Sequence, residues 1–144
     1  MPRAATAHWL FKQEPSDYSF ADLCRDGRTT WDGVNNALAK QHLRRVKKGD
    51  DILFYETGKV KAVVGIMRAA AAPVLNEAEK TVIVQVKPVR PLARLVTLAE
   101  IKADPIFAEW ELTRQPRLSI MPVSAALWQR LMEMELAAPL TAPG

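Results

Sequence analysis

Apolar residues come in short runs along this chain, and turn-forming residues separate them. His8-Trp9-Leu10-Phe11-Lys12-Gln13 predicts a strand that stops at Glu14-Pro15. Proline restricts the residue before it and cannot donate to a ladder. Within this strand Leu10, Lys12 and Glu14 share one face, opposite Trp9 and Phe11. Ser19 is placed to cap a helix, with Asp22 in the first turn and Gly27 at the end. A second helix is predicted over 36–46, where Leu38, His42 and Val46 recur at i, i+4 and i+8 and so share a face.

The middle of the chain is strand-rich. Gly49-Asp50 turns it into a strand over 51–57, Gly58-Lys59 into another over 60–69, and after a loop around Pro73 a third covers 81–87. In that third strand Val82, Val84 and Val86 alternate as a half-buried strand requires. Thr97-Leu98-Ala99-Glu100 has the capping-box pattern of a short helix, which Asp104-Pro105 interrupts. An extended piece over 119–123 leads to Ser124, which caps a last helix through Trp128, Leu131 and Met132. Strands interleaved with short peripheral helices predict an α+β domain on a small open or closed barrel. Its expected bounds are 8–136, with a loose leader over 1–7 and a frayed, proline-bearing end over 137–144.

Composition narrows the function classes. The 144 residues suit one domain, and 49% hydrophobic with 25% charged content is ordinary for a globular protein. The net charge of +4 favours polyanionic partners without bearing on fold. Cys24 is the single cysteine, so it has no partner for an internal disulfide. No run of about 18 apolar residues predicts a membrane span. Residues 1–7 lack the apolar core of a signal peptide. The expectation is a soluble, cytoplasmic protein with no membrane partner.

Neither a P-loop nor a Gly-rich dinucleotide fingerprint is present. His8, His42 and Cys24 give no metal-ligand spacing, and the zinc-deaminase pattern is missing. No metal, cofactor or catalytic residue is therefore expected. What stands out is a set of polar residues attached to aromatic anchors. Lys12 and Glu14 follow Trp9 and Phe11, where an ion pair over core aromatics is the plain alternative. In Trp31-Asp32-Gly33-Val34-Asn35-Asn36 a turn sets Trp31 at a strand end and Asn36 at a helix start. An indole there can stack a flat base, and the free N–H groups of a helix start can meet acceptor oxygens. A core tryptophan with an asparagine cap is equally compatible with the segment. Tyr55 alternates with Leu53 and either closes a pocket or joins the core. Arg117, in Arg114-Gln115-Pro116-Arg117-Leu118-Ser119, either holds a phosphate or base edge bidentately or is a solvated arginine. Lys40, Arg44, Arg45, Lys47 and Lys48 form a basic cluster in which Lys40 and Arg44 repel at i, i+4.

These segments together resemble the EVE domain family. The resemblance rests on Trp9-Leu10-x-Lys12-x-Glu14-Pro15, Trp31-Asp32-Gly33-Val34-x-Asn36 and Gly49-Asp50 with Phe54-Tyr55. It continues in Val64-Gly65-Ile66 and in Arg117-Leu118-Ser119-Ile120-x-Pro122-Val123. It implies a PUA-like fold, a small mixed β-barrel with surrounding short helices, related to YTH domains. It also implies a reader of modified bases in DNA or RNA, such as methylated or hydroxymethylated cytosine or methylated adenine. Carried over by position, Trp31 is a pocket wall, and Lys12, Asp32, Gly33, Val34, Asn36, Tyr55, Arg117 and Ser119 line or frame the pocket. An effector protein encoded separately is a further partner the resemblance allows. Three places depart from the family pattern. Asn35 stands where Arg is frequent, Ala37 and Leu38 where an aromatic and an amide are, and Glu56 where His is usual. A lost cation and a gained carboxylate imply weaker phosphate binding or a changed base preference.

The leading expectation is a binding module whose target base is splayed out, stacked and read on its edge. Two alternatives stand beside it. One is an enzyme on nucleobases or RNA with Glu14, Asp32 or Glu56 as general base and Lys12 or Arg117 holding charge. The other is a small-molecule or protein-interaction domain that kept the fold.

Overall fold

The computed structural model describes residues 8–137. The expected leader over 1–7 and residues 138–144 of the expected frayed end lie outside the described residues. The elements run β1 (His8–Gln13), α1 (Phe20–Asp26), β2 (Thr29–Trp31), α2 (Ala37–Arg45), β3 (Asp51–Glu56), β4 (Ala62–Ala69) and β5 (Val74–Asn76). They continue with β6 (Thr81–Thr97), α3 (Leu98–Ala103), a 3₁₀ turn (Pro105–Phe107), α4 (Glu111–Arg114), β7 (Ile120–Val123) and α5 (Ala125–Leu136).

The strands form one mixed sheet in the order β2-β6-β4-β3-β1-β7, with β5 paired to β6 off this path. β1 and β3 are parallel and the other pairs antiparallel. The sheet curls into a half-barrel carrying a few short helices, the PUA-like arrangement expected. Parallel neighbours need both faces covered. β1 accordingly buries Leu10 and Phe11 completely and Trp9 nearly so. The two-faced alternation expected of this strand therefore does not hold: His8, Lys12 and Gln13, at its two ends, reach solvent in part, and the three residues between them are buried.

The capping signals form as expected. Ser19 and Thr97 make reciprocal capping boxes with Asp22 and Glu100, and Gly27 ends α1 at φ 75°. Asn36 and Ser124 accept from Ala39 and Leu127 backbone N–H groups at the starts of α2 and α5. The buried face of α2 differs from the predicted one. Ala39, Leu43 and Val46 are buried, whereas Leu38 is 36% exposed. Val46 is buried as expected, while Ala39 and Leu43 take the places expected of Leu38 and His42.

The predicted strand over 81–87 is the first part of β6, which runs on through Pro88 and Pro91 to Thr97. Beyond Val86, β6 has β4 as its only sheet neighbour among the described residues. Prolines are tolerated where one side of a strand is unpaired. The register against β4 moves from Val63 opposite Val96 to Gly65 opposite Pro91, so residues 92–95 bulge out. The buried carboxylate of Glu135, from α5, closes this bulge. It accepts from the Ala93 backbone N–H at 2.8 Å and from both Arg90 guanidinium nitrogens at 2.8 and 2.6 Å. Asp50 is the other buried acid among the described residues, accepting from Trp9 Nε1 at 2.9 Å and the Lys47 backbone N–H at 2.8 Å.

Candidate functional site

The motifs singled out from the sequence meet around the C-terminal end of β1. Lys12 pairs in register with Tyr55 on β3, and its backbone N–H donates to the Ser119 carbonyl at 2.9 Å. Its Nζ donates to the Pro116 carbonyl at 3.0 Å and lies 5.8 Å from the centre of the Tyr55 ring. Lys12 thereby fastens the 115–118 loop to the sheet while keeping a cation over an aromatic face. Burial holds its ammonium below the ordinary lysine pKa, and burial pushes the Tyr55 hydroxyl up to about 12. Tyr55 is thus a neutral, buried phenol. β4 skips Val64 between the partners of Phe54 and Tyr55, and such a bulge increases the local twist.

Across from this loop stands the start of α2. Between them is a groove of 510 Å³, lined by residues 36–38 on one side and 115–118 on the other. That volume is within the range of small-ligand sites. Ala37, Leu38, Pro116 and Leu118 supply apolar walls, and Asn36, Gln115 and Arg117 supply polar groups. Of the expected site residues, Asn36 and Arg117 line this groove directly, and Lys12 holds its far wall. Asn36 also spends its side-chain oxygen on the α2 cap, accepting from Ala39 N at 2.9 Å. Tyr55 and Ser119 stand beside Lys12. Asp32 and Gly33 are exposed in the loop between β2 and α2, where Gly33 takes φ 72°, and half-buried Val34 packs on the core. Trp31 is 5% exposed, packs among Phe11 at 5.3 Å and Phe54 at 5.6 Å, and does not line the groove. The lining residues that sequence reasoning did not nominate are Ala37, Leu38, Gln115, Pro116 and Leu118. An apolar Leu38 on the outward face of α2 was the available signal.

Two of the three carboxylates considered as general bases, Glu56 and Glu14, are otherwise engaged, while Asp32 is exposed in its loop. Glu56 accepts from the Phe20 backbone N–H at 2.9 Å at the start of α1. Glu14 accepts from Thr57 Oγ1 at 3.1 Å and Ser16 Oγ at 3.2 Å. Lys12 and Glu14 do not form the ion pair considered for this strand. Charge is also unevenly satisfied. Arg25, Arg68, Arg90, Arg94, Arg114 and Arg130 are ion-paired. Arg44, Arg45, Lys47, Lys48 and Arg117 have no such partner among the described residues. Unpaired positive charge thus includes a run on and beyond α2 and Arg117 on the groove loop, besides exposed residues elsewhere such as Lys59, Lys61, Lys87 and Lys102.

A family model for the EVE domain matches residues 7–134. The chain belongs to the EVE domain family. Human thymocyte nuclear protein 1 is 28% identical over 172 aligned positions, which cover 93% of this chain and 76% of that protein. Among solved structures, Rpa0253 from Rhodopseudomonas palustris has a TM-score of 0.85 at 34% identity, covering 90% of this chain and 93% of that one. Human THYN1 in complex with 5-methylcytosine-containing DNA has a TM-score of 0.86 at 25% identity, covering 93% of this chain and all of that one. The EVE motifs in this chain are thus spread across the fold, and three of them converge on one groove. The departures have structural readings too. Glu56 caps α1, Ala37 and Leu38 line the groove, and Asn35 is exposed beside it. Among the described residues no group of His, Cys, Asp and Glu is arranged to hold a metal, and no helix is long and apolar enough to cross a membrane.

Proposed function

We propose that this chain is a nucleic-acid-binding module that reads a modified base in DNA or RNA. The observation that carries the reading is the match, over nearly the whole of both chains, to THYN1 in complex with 5-methylcytosine-containing DNA. The modified base sits in the groove between residues 36–38 and 115–118. Arg117 meets its edge or its phosphate, Leu38 and Pro116 contact its apolar substituent, and Lys12 keeps the loop in place. Asp32, Gly33 and Val34 set the position of Asn36, while Trp31 backs the site from the core. The module acts in the cell interior without a catalytic residue, and its output passes through a separate effector protein.

Energetics set the scale of what this site achieves. Burying one methyl contributes roughly 0.8 kcal/mol, about fourfold in affinity. Larger discrimination requires hydrogen bonds on the base edge. Equilibrium binding of short single- and double-stranded DNA and RNA, with and without methylated or hydroxymethylated cytosine and methylated adenine, tests the reading. A preference for one modified base supports it. Folded protein that binds none of them overturns it in favour of a small-molecule or protein-interaction domain.

A further inference from the structure

A second groove, of 580 Å³, lies on the other side of the α2 start. Its walls are the outward face of α2 and the hairpin of β5 and β6. It shares Ala37 with the groove described above, so the two meet at the beginning of the helix. Lys40 and Arg44 line it from α2 and Lys80 from the hairpin, against one acid, Glu77. Asn35, Gln41, Asn76 and Thr81 add neutral hydrogen-bonding side chains. Three cations stand against Glu77 and against Glu79, which accepts from Asn76 Nδ2 at 3.4 Å, so the trough remains net positive.

The hairpin is held for this arrangement. Asn76 Oδ1 accepts from the Glu79 backbone N–H at 3.1 Å, which fixes the turn. Lys80 follows at φ 55°, in the left-handed region that non-glycine residues rarely adopt. Its carbonyl accepts from Lys40 Nζ at 2.9 Å, tying the hairpin to α2. Lys40 and Arg44 are i, i+4 neighbours with no acid between them, so they repel until an anion lies across both.

We propose that this second groove binds the sugar-phosphate backbone of the strand whose base enters the first groove. Lys40, Arg44 and Lys80 contact phosphates, and the neutral side chains contact phosphate or sugar oxygens without reading sequence. The identity of the first groove as a base site rests on the function proposed above, but the phosphate contacts do not depend on any modification.

An unmodified thymidine oligonucleotide therefore isolates this groove. Its affinity is measured against salt for the full chain and for Lys40→Gln/Arg44→Gln/Lys80→Gln. Each phosphate contact on a single strand contributes about 0.7 to the slope of log affinity on log salt. Losing three lowers the slope by about 2, so from about 50 to 200 mM salt the variant loses roughly 20-fold less affinity than the parent chain. Lys59→Gln/Lys61→Gln/Lys102→Gln, at exposed lysines outside both grooves, leaves the slope near that of the parent chain. Arg44→Gln alone removes no hydrogen bond present in the fold and lowers the slope by about 0.7, which keeps the test available if the triple variant does not fold. A slope unchanged in the groove variants, or lowered equally in the control, overturns the proposal. The ratio of affinities for 5-methylcytosine and cytosine oligonucleotides is read in parallel. A lowered slope with no such ratio in the parent chain keeps the phosphate groove and removes the base reader. A ratio with no slope effect does the reverse.

Discussion

Truncating Trp31 to alanine separates a core residue from an exposed stacking platform. Trp31 is 5% exposed and has aromatic neighbours at 5.3 Å (Phe11) and 5.6 Å (Phe54), the second nearly perpendicular at 86°. A buried aromatic of this size covers about 150–250 Å², worth roughly 4–6 kcal/mol at about 25 cal/mol per Å². The two ring contacts add about 0.5–1.5 kcal/mol each, and partial collapse of the cavity offsets some of the total. The expected loss for Trp31→Ala is about 3–5 kcal/mol, a large share of the 5–15 kcal/mol typical of a domain. Urea unfolding followed by circular dichroism measures it, and the remaining three of the four tryptophans give an independent fluorescence trace. Trp31→Phe keeps an aromatic ring in the cluster and costs about half as much. A loss below about 1 kcal/mol for Trp31→Ala would mean that the indole is not packed as described. The consequence for binding studies is direct: affinity lost in Trp31→Ala has to be corrected for the unfolded fraction before any of it is assigned to a base contact.

Other changes have different signatures. Gly65 lies under the Phe20 ring, and an added Cβ would stand 2.4 Å from it, so Gly65→Ala destabilises by about 1–3 kcal/mol in the same unfolding assay. Glu135→Gln weakens the clamp on Arg90 and Ala93 and costs about 1–3 kcal/mol at neutral pH, read as a lower urea midpoint. Arg90 holds the Glu135 carboxyl below the usual range, so its contribution is full above the ordinary glutamate pKa and disappears as pH falls through the lower folded value. That acid-side loss is smaller in Glu135→Gln. His42 has a buried, unpartnered Nε2, and burial lowers its pKa against a smaller opposing pull from Glu111. The unfolded chain therefore binds a proton there first, and stability falls as pH drops below the ordinary histidine value, between pH of about 7 and 5.5. Unfolding free energies at the two pH values converge in His42→Gln if this histidine is the cause, and an unchanged difference excludes it.

Much of the fold was legible because local chemistry and tertiary packing agree. β1 and β3, the capping box at Thr97 and the caps at Ser19, Asn36 and Ser124 all formed where turn and cap residues pointed. The failures have specific causes. Pro88 and Pro91 end a strand by local rules, yet β6 continues because its second side has no partner to lose. β5 has three exposed residues and owes its form to pairing with β6, which no local pattern records. α4 begins at Trp110 without a side-chain cap bond, so no start signal precedes it. On α2 the apolar Leu38 drew the face one position off, because that residue lines a groove instead of the core.

The candidate site was legible in part. Asn36 and Arg117 were visible as motif residues, and the latch role of Lys12 follows from a long-range bond to Pro116 that only the fold brings about. Trp31, the most conspicuous residue in its motif, is packed in the core and does not line the site, and Glu56 serves the start of α1. Bulk composition could not separate these outcomes, since buried aromatics and exposed platforms look alike in a sequence.

The proposed site for the modified base is the groove between residues 36–38 and 115–118. Amide NMR spectra of the chain, titrated with one oligonucleotide carrying 5-methylcytosine and with its cytosine counterpart, test this most directly. The shifts distinguishing the two ligands are expected to concentrate at Asn36, Ala37, Leu38, Gln115, Arg117 and Leu118, with Lys12 beside them. Identical shifts for both ligands, or a difference centred on α5 or α3, would contradict it.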